Sequence, residues 1–214
     1  MKTPIIDFVK EYTKKDPIRF HMPGHKGHLG LGKMDITEID GADYLHLPTG
    51  IINESEQIAT SLFESQRTIY STFGSSACIK AMCYLAMLDN KKEKFKILAT
   101  RNAHKAFIDA SILLDFEIEW VEMKSYDNIL SCDIDYKKLE KQMDDDVLAV
   151  YITSPDYLGN TLDVERICRM AREKGIISLV DNAHGSYLKF LEKSLHLYSQ
   201  CIIIHIRIMI HGMP

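Results

Sequence analysis

VLAVYITSPDYLGNTLDVERICRMAREKGIISLVDNAHG, residues 147–185, decides the fold. Val147–Thr153 is a short apolar, β-branched run. Val164–Lys174 reads as a helix closed by Gly175, and Ile176–Val180 is a second apolar run that ends on Asp181. Two short strands joined by one helix form a crossover unit, and crossover strands lie parallel. The same alternation continues upstream. Lys96–Thr100 reads as a strand, Ala103–Leu114 as a helix, Phe116–Met123 alternates like a strand, and Tyr136–Met143 reads as a helix. Further out, Thr68–Phe73 is a short β-branched and aromatic run before a helix over Ser75–Asp89, with Ser75 as its cap. The fold class is therefore α/β, a mainly parallel sheet with helices on both faces.

Towards the N-terminus the pattern changes. Ile52–Phe63 is helix-like, and residues 4–15 form a helix. Thr3 can cap that helix, Pro4 suits its first turn, and Ile5, Ile6, Phe8, Val9 and Tyr12 share one face. Residues 16–50 are rich in Gly, Pro and His and read as an extended arm. An irregular segment of that length is functional or packed against something else. The expected organisation is an N-terminal helix and arm over 1–50, a large domain over 51–196 and a separate tail over 197–214. In the tail, Ile204, Ile206, Ile208 and Ile210 alternate with His205, Arg207 and Met209, a strand-like and aggregation-prone pattern.

Composition excludes several classes. Of 214 residues, 46% are apolar and 26% charged, ordinary values for a globular protein with a core. The net charge of −4 gives no general attraction to nucleic acid or to an anionic membrane. No window has the apolar length of a membrane span, and the first residues mix charges into the apolar pattern, unlike a signal peptide. Cys78, Cys83, Cys132, Cys168 and Cys201 are scattered and odd in number. They argue against a disulfide framework or a zinc site and for a reducing cytoplasm.

Ligands of parallel α/β sheets bind beyond the carboxyl ends of the strands. Those ends carry Gly74-Ser75-Ser76, Arg101-Asn102-Ala103-His104, Ser154-Pro155-Asp156-Tyr157 and Asp181-Asn182-Ala183-His184. A Gly followed by two hydroxyl residues at a helix start offers backbone N–H groups and hydroxyls to a phosphate, although the same residues also make a plain cap. His104 opens a helix, a place where a histidine is commonly structural. Asp181 ends an apolar strand, so its carboxylate needs a partner, with a cap as the alternative. His21 and His25 have i, i+4 spacing, but Pro23, Gly24 and Gly27 argue against a helix there, and no metal site is expected. Gly27–Lys33 matches GxxxxGK, yet Met34 stands where a P-loop needs Ser or Thr. Together the rim residues suggest an anionic, aromatic, nitrogen-containing cofactor. Its phosphate would sit at Gly74–Ala77, its ring on His104 and its protonated nitrogen against Asp181. Pyridoxal phosphate has that shape and charge.

At these residues the chain resembles the ornithine/lysine/arginine decarboxylase family, within the aspartate aminotransferase-like fold of pyridoxal-phosphate enzymes. The matching stretches are Phe20–Gly27 (FHMPGHKG), Asp35–Gly41, Gly74–Ser76, Arg101–Lys105 (RNAHK), Thr153–Pro155 with Gly159, and Asp181–Gly185 (DNAHG). They run in the family's order from near residue 4 to about residue 196. The early HMPGHKG string is similar to that of short members without a receiver-like domain. The resemblance implies that Ser75, Ser76 and the Ala77 backbone contact the phosphate, with Ala77 standing where other members often have Thr. It implies that His104 stacks on the ring, Asp181 pairs with its nitrogen, Ala183 supports the opposite face and His184 lies near the ring edge. The implied activity is decarboxylation of lysine, arginine or ornithine to an amine and CO2 in a cytoplasmic homodimer or larger assembly.

One departure stands out. Relatives carry the Schiff-base lysine in a Ser/Thr-x-His-Lys string one strand beyond the Asp motif. Here Tyr198–Pro214 contains no lysine, and Lys189 and Lys193 follow Asp181 too closely. The expectation is a large domain cut short by truncation or frameshift, with no Schiff-base residue and poor solubility from an uncovered sheet edge. The alternative to truncation is a natural short paralogue with a new terminal strand, and the alternative function is a catalytically inactive remnant or cofactor-binding fragment.

Overall fold

The computed structural model describes residues 1–28, 30–88, 95–124, 131–191 and 202–204. The chain packs as two compact units, Met1–Tyr70 and a second from Ser71 onward.

The first unit holds α1 (Pro4–Lys15), a 3-10 turn at Gly30–Met34 and α2 (Ile51–Phe63). Thr3 stands at the start of α1, but it does not cap the backbone. Its N–H and hydroxyl both donate to the Asp7 carboxylate, at 3.0 and 2.9 Å. The arm is held by polar side chains, the buried Arg19 and the half-buried Asp43. Arg19 donates to the carbonyls of Gly32 and Lys33 at 3.1 and 2.6 Å. Asp43, at a left-handed φ of 66°, gathers the N–H groups of Tyr44, Thr49, Gly50, Ile52 and Asn53 into one carboxylate. Burial pushes its pKa up, but these bonds outweigh burial and bring it down to about 2.

The second unit is the α/β layer. It contains α3 (Gly74–Leu88), β1 (Lys96–Ala99), α4 (Lys105–Leu114), β2 (Glu117–Trp120), α5 (Tyr136–Gln142), β3 (Val147–Thr153), α6 (Val164–Glu173), β4 (Ile177–Asp181) and β5 (Ile202–Ile204). All pairings in the sheet are parallel, in the order β2-β1-β3-β4-β5. Successive residues alternate between faces. Ile97, Ala99, Tyr151 and Leu179 pack with Ile79, Met82 and Phe107 from α3 and α4. Leu98, Val150, Ile152 and Val180 pack with Leu139, Ile167 and Ala171 from α5 and α6. β3 is buried along its whole length, as a strand covered on both faces must be. The sheet is thus the expected α/β arrangement, parallel with helices on both faces.

Several local expectations shift. Gly74, at φ 68°, turns the chain into α3, so Ser75 lies inside the first turn and is not its cap. Thr68–Phe73 forms no strand. β2 is shorter than its alternating pattern, and Met123 instead bridges antiparallel to Ile134. Of the isoleucine-rich tail, Ile202–Ile204 pairs with β4, and the rest lies outside the described residues. Cys78, Cys83 and Cys132 are free thiols, whereas Cys168 is disulfide-bonded. The scattered spacing that argued against a disulfide framework does not exclude a bridge at that residue.

Candidate functional site

From β1 the chain passes to β2 on one side and then to β3 on the other, so the topology reverses between β1 and β3. Such a reversal opens a crevice at the carboxyl ends of the strands. Three loops meet at that edge, following β1, β3 and β4.

Asp181 is the last residue of β4 and is 3% exposed. A carboxylate so buried needs donors, and among the described residues it has two. The Tyr151 phenol donates to Oδ2 at 2.9 Å, and the Ala183 N–H donates to Oδ1 at 3.1 Å. The second bond is the cap-like contact that the sequence allowed. The first was not foreseen. Tyr151 lies on β3 opposite Leu179, and Thr153, two residues on, is opposite Asp181. Its ring stacks on Phe107 of α4, with centroids 4.1 Å apart and planes 23° apart. Burial, and then the Asp181 charge, push the phenol's pKa well above its usual value, so the hydroxyl remains a donor. The available signal was a single polar aromatic within VLAVYIT.

His104 is half-buried and caps α4, its Nδ1 accepting the Ala106 N–H at 3.1 Å. The neutral ring therefore carries its proton on Nε2. Its loop is stitched to β3. Asn102 donates through Nδ2 to the Thr153 carbonyl at 3.2 Å, and the Thr153 N–H donates to Thr100 Oγ1 at 3.3 Å. Among the described residues, the buried Asn102 Oδ1 has no partner.

Ser75, Ser76 and Ala77 occupy the first turn of α3 and are half-buried. The first N–H groups of a helix have no partner within it. α3 packs beside both α4 and β4. Cys78, the next residue, has its thiol pKa raised by burial and, to a smaller degree, by the Asp181 carboxylate. Ala183 is half-buried. His184 is exposed, its ring tilted against Tyr157 with centroids 5.3 Å apart. The loop after β3 is rigid for its own reason: the Asp156 carboxylate accepts from Leu158 N and Asn160 N at 2.9 Å each and from Cys132 N at 3.3 Å.

The N-terminal histidines are engaged separately. His25 Nε2 lies 3.0 Å from Asp35 Oδ2, and His21 Nε2 lies 2.6 Å from the Tyr12 hydroxyl. Among the described residues, no group of three or more His, Cys, Asp or Glu is placed to hold a metal, and no helix is long and apolar enough to cross a membrane.

Residues 3–202 match the family described as Orn/Lys/Arg decarboxylase, major domain. The chain belongs to this decarboxylase family. The match runs to residue 202, beyond the neighbourhood of His196 where the resemblance read from the sequence ends. Among curated relatives, an arginine decarboxylase of Bacillus cereus is 29% identical over 205 residues, covering 88% of this chain and 44% of the relative. One of Bacillus subtilis is 27% identical over 205 residues, covering 88% of this chain and 41% of the relative. The chain thus spans less than half the length of these curated decarboxylases. Among solved structures, sphingosine-1-phosphate lyase from Burkholderia pseudomallei superposes with a TM-score of 0.54 at 16% identity, over 64% of this chain and 34% of that one. A PLP-bound structure from Clostridium difficile gives 0.52 at 15% identity, over 92% of this chain and 44% of that one. At such identities the likeness shows the fold.

Proposed function

We propose that the edge around Asp181 binds pyridoxal phosphate and that the chain serves the decarboxylation of a basic amino acid. Lysine, arginine or ornithine would give CO2 and the corresponding amine, a step of polyamine synthesis in the cytoplasm. The observation that carries this reading is the buried Asp181 carboxylate, oriented by two donors at the end of the strand that α3 packs against.

The donor set fits the cofactor at both ends. A buried carboxylate at the end of a parallel strand favours a cation, such as a protonated ring nitrogen. A helix start with two hydroxyls favours a phosphate. Ser75, Ser76 and the Ala77 N–H would hold the phosphate. The His104 ring, fixed by its bond to Ala106 N, would cover one face of the ring, Ala183 would cover the other, and His184 would stand at the edge. Asp181 would keep the proton on the ring nitrogen. Pyridoxal phosphate, when bound, supplies an electron sink for the pair left behind by departing CO2.

A second reading is favoured by the lysine-free stretch Tyr198–Pro214: a chain that binds the cofactor without turning over substrate. A homodimer or larger assembly would be the setting for either.

The test compares pyridoxal phosphate with pyridoxal, which lacks the phosphate. The double variant S75A/S76A should weaken pyridoxal phosphate by about tenfold and pyridoxal by less than twofold, the worth of one or two bonds to a charged group. Equal losses for both ligands would sink the assignment. CO2 release from lysine, arginine or ornithine by the purified chain separates the two readings.

A further inference from the structure

The reading above rests on the orientation of Asp181, and the Tyr151 hydroxyl is one of the two donors that set it. A phenylalanine would fill the same place between the sheet and Phe107 without bringing a hydroxyl into the core. A buried hydroxyl is costly unless it is bonded, and it gains most when its acceptor is charged. The hydroxyl of Tyr151 meets Asp181 Oδ2 at 2.9 Å, while Phe107 stacks on its ring at 4.1 Å and the register with β4 fixes its place along the strand. The titratable groups facing this pair are the Cys78 and Cys83 thiols of α3. No described cation competes for the carboxylate among the salt bridges of the second unit.

We infer that Tyr151 is a positioning residue: clamped by Phe107, its phenol holds the Asp181 carboxylate in the one orientation that receives the ring nitrogen of the cofactor. The inference deepens the proposed function and rests on it. Tyr151 touches no ligand. It acts through Asp181, with the Ala183 N–H steadying the other oxygen. Freed of the phenol, the carboxylate can rotate about its side-chain torsions, and part of its population faces away from the ligand.

The test is a double-mutant cycle with Tyr151→Phe and Asp181→Asn on the full chain. The probe is pyridoxamine 5′-phosphate, which binds without a lysine adduct, with inorganic phosphate as control. Y151F should weaken pyridoxamine phosphate by about tenfold when Asp181 is present and by less than twofold in the D181N background. Inorganic phosphate, held at the start of α3, should bind alike in all four proteins. Near-ultraviolet circular dichroism of the bound probe should fall in Y151F as the ring loses a single orientation. If Y151F folds poorly, Phe107→Leu removes the clamp but keeps the phenol, and it should show the same dependence on Asp181. Equal losses with and without Asp181 would overturn the role of Tyr151. Absence of probe binding by the unaltered chain would overturn the cofactor assignment and this inference with it.

Discussion

Gly185 and Pro155 touch without room for a side chain between them: a Cβ built on Gly185 would stand 2.5 Å from the Pro155 Cδ. Gly185 belongs to the turn that leaves β4, its N–H bonded to the Asn182 carbonyl at 3.0 Å. Pro155 belongs to the loop that leaves β3, whose Ser154 N–H is bonded to the Asp181 carbonyl at 3.1 Å. The two loops that frame Asp181 are therefore packed backbone against ring. Gly185→Ala should cost about 1–3 kcal/mol by overpacking. It should also displace the Ala183–His184 turn. Urea unfolding checks the first effect and pyridoxal phosphate titration the second. A variant with unchanged midpoint and affinity would show that the contact relaxes freely.

His104 caps α4, and under the proposed function its ring also covers one face of the cofactor. His104→Asn keeps a side chain able to accept the Ala106 N–H, whereas His104→Ala does not. The alanine variant should lose about 1 kcal/mol of stability and the asparagine variant much less. Both should lose cofactor affinity to the same degree, because both lack the ring. Thermal unfolding and cofactor titration of the two variants, read side by side, decide the point. Retained affinity in H104N would remove the stacking role.

Asp43 makes acid stability a local property of the N-terminal unit. Its pKa is lowered from 3.8 to about 2, so folding is favoured by its ionised form. That contribution is complete above the unfolded value, near pH 4, and disappears as the pH falls towards 2. Asp43→Asn should therefore destabilise at neutral pH by about 1 kcal/mol, solvent screening keeping the effect small, and make no difference near pH 2. Hydrogen exchange of the Thr49, Gly50 and Ile52 amides on the full chain, followed from pH 7 to pH 2, provides the measure. Parallel profiles in both proteins would contradict it.

Much of the α/β layer was legible because parallel strands announce themselves. Val147–Thr153 is covered on both faces, so it is apolar up to its end except for the Tyr151 hydroxyl, and its bounds match the observed strand. Asp181 was legible for the complementary reason, as a charge at the end of an apolar run. The Tyr151–Asp181 bond was not legible. It depends on how β3 aligns with β4, and no pattern within either strand reports that offset. The Asp43 cage was hidden likewise, because a loop closure brings backbone groups six to ten residues away to one side chain. Thr3 and Ser75 both read as caps, because the residue type suits the role. Thr3 found a better acceptor in Asp7, and Gly74 turned the chain one residue earlier than Ser75 would have done.

The alignment Thr153 with Asp181 has a consequence for misfolding. Side chains on a strand alternate, so a slip of one residue in β3 would present Val150 or Ile152 where the phenol now stands. The sheet would still be oily on both sides, and its hydrogen-bond ladder would still close. The acid at the tip of β4 would face hydrocarbon with no hydroxyl to meet it, and the bonds of Thr153 to Thr100 and Asn102 would shift with it. A few polar contacts thus proofread the assembly of the strands.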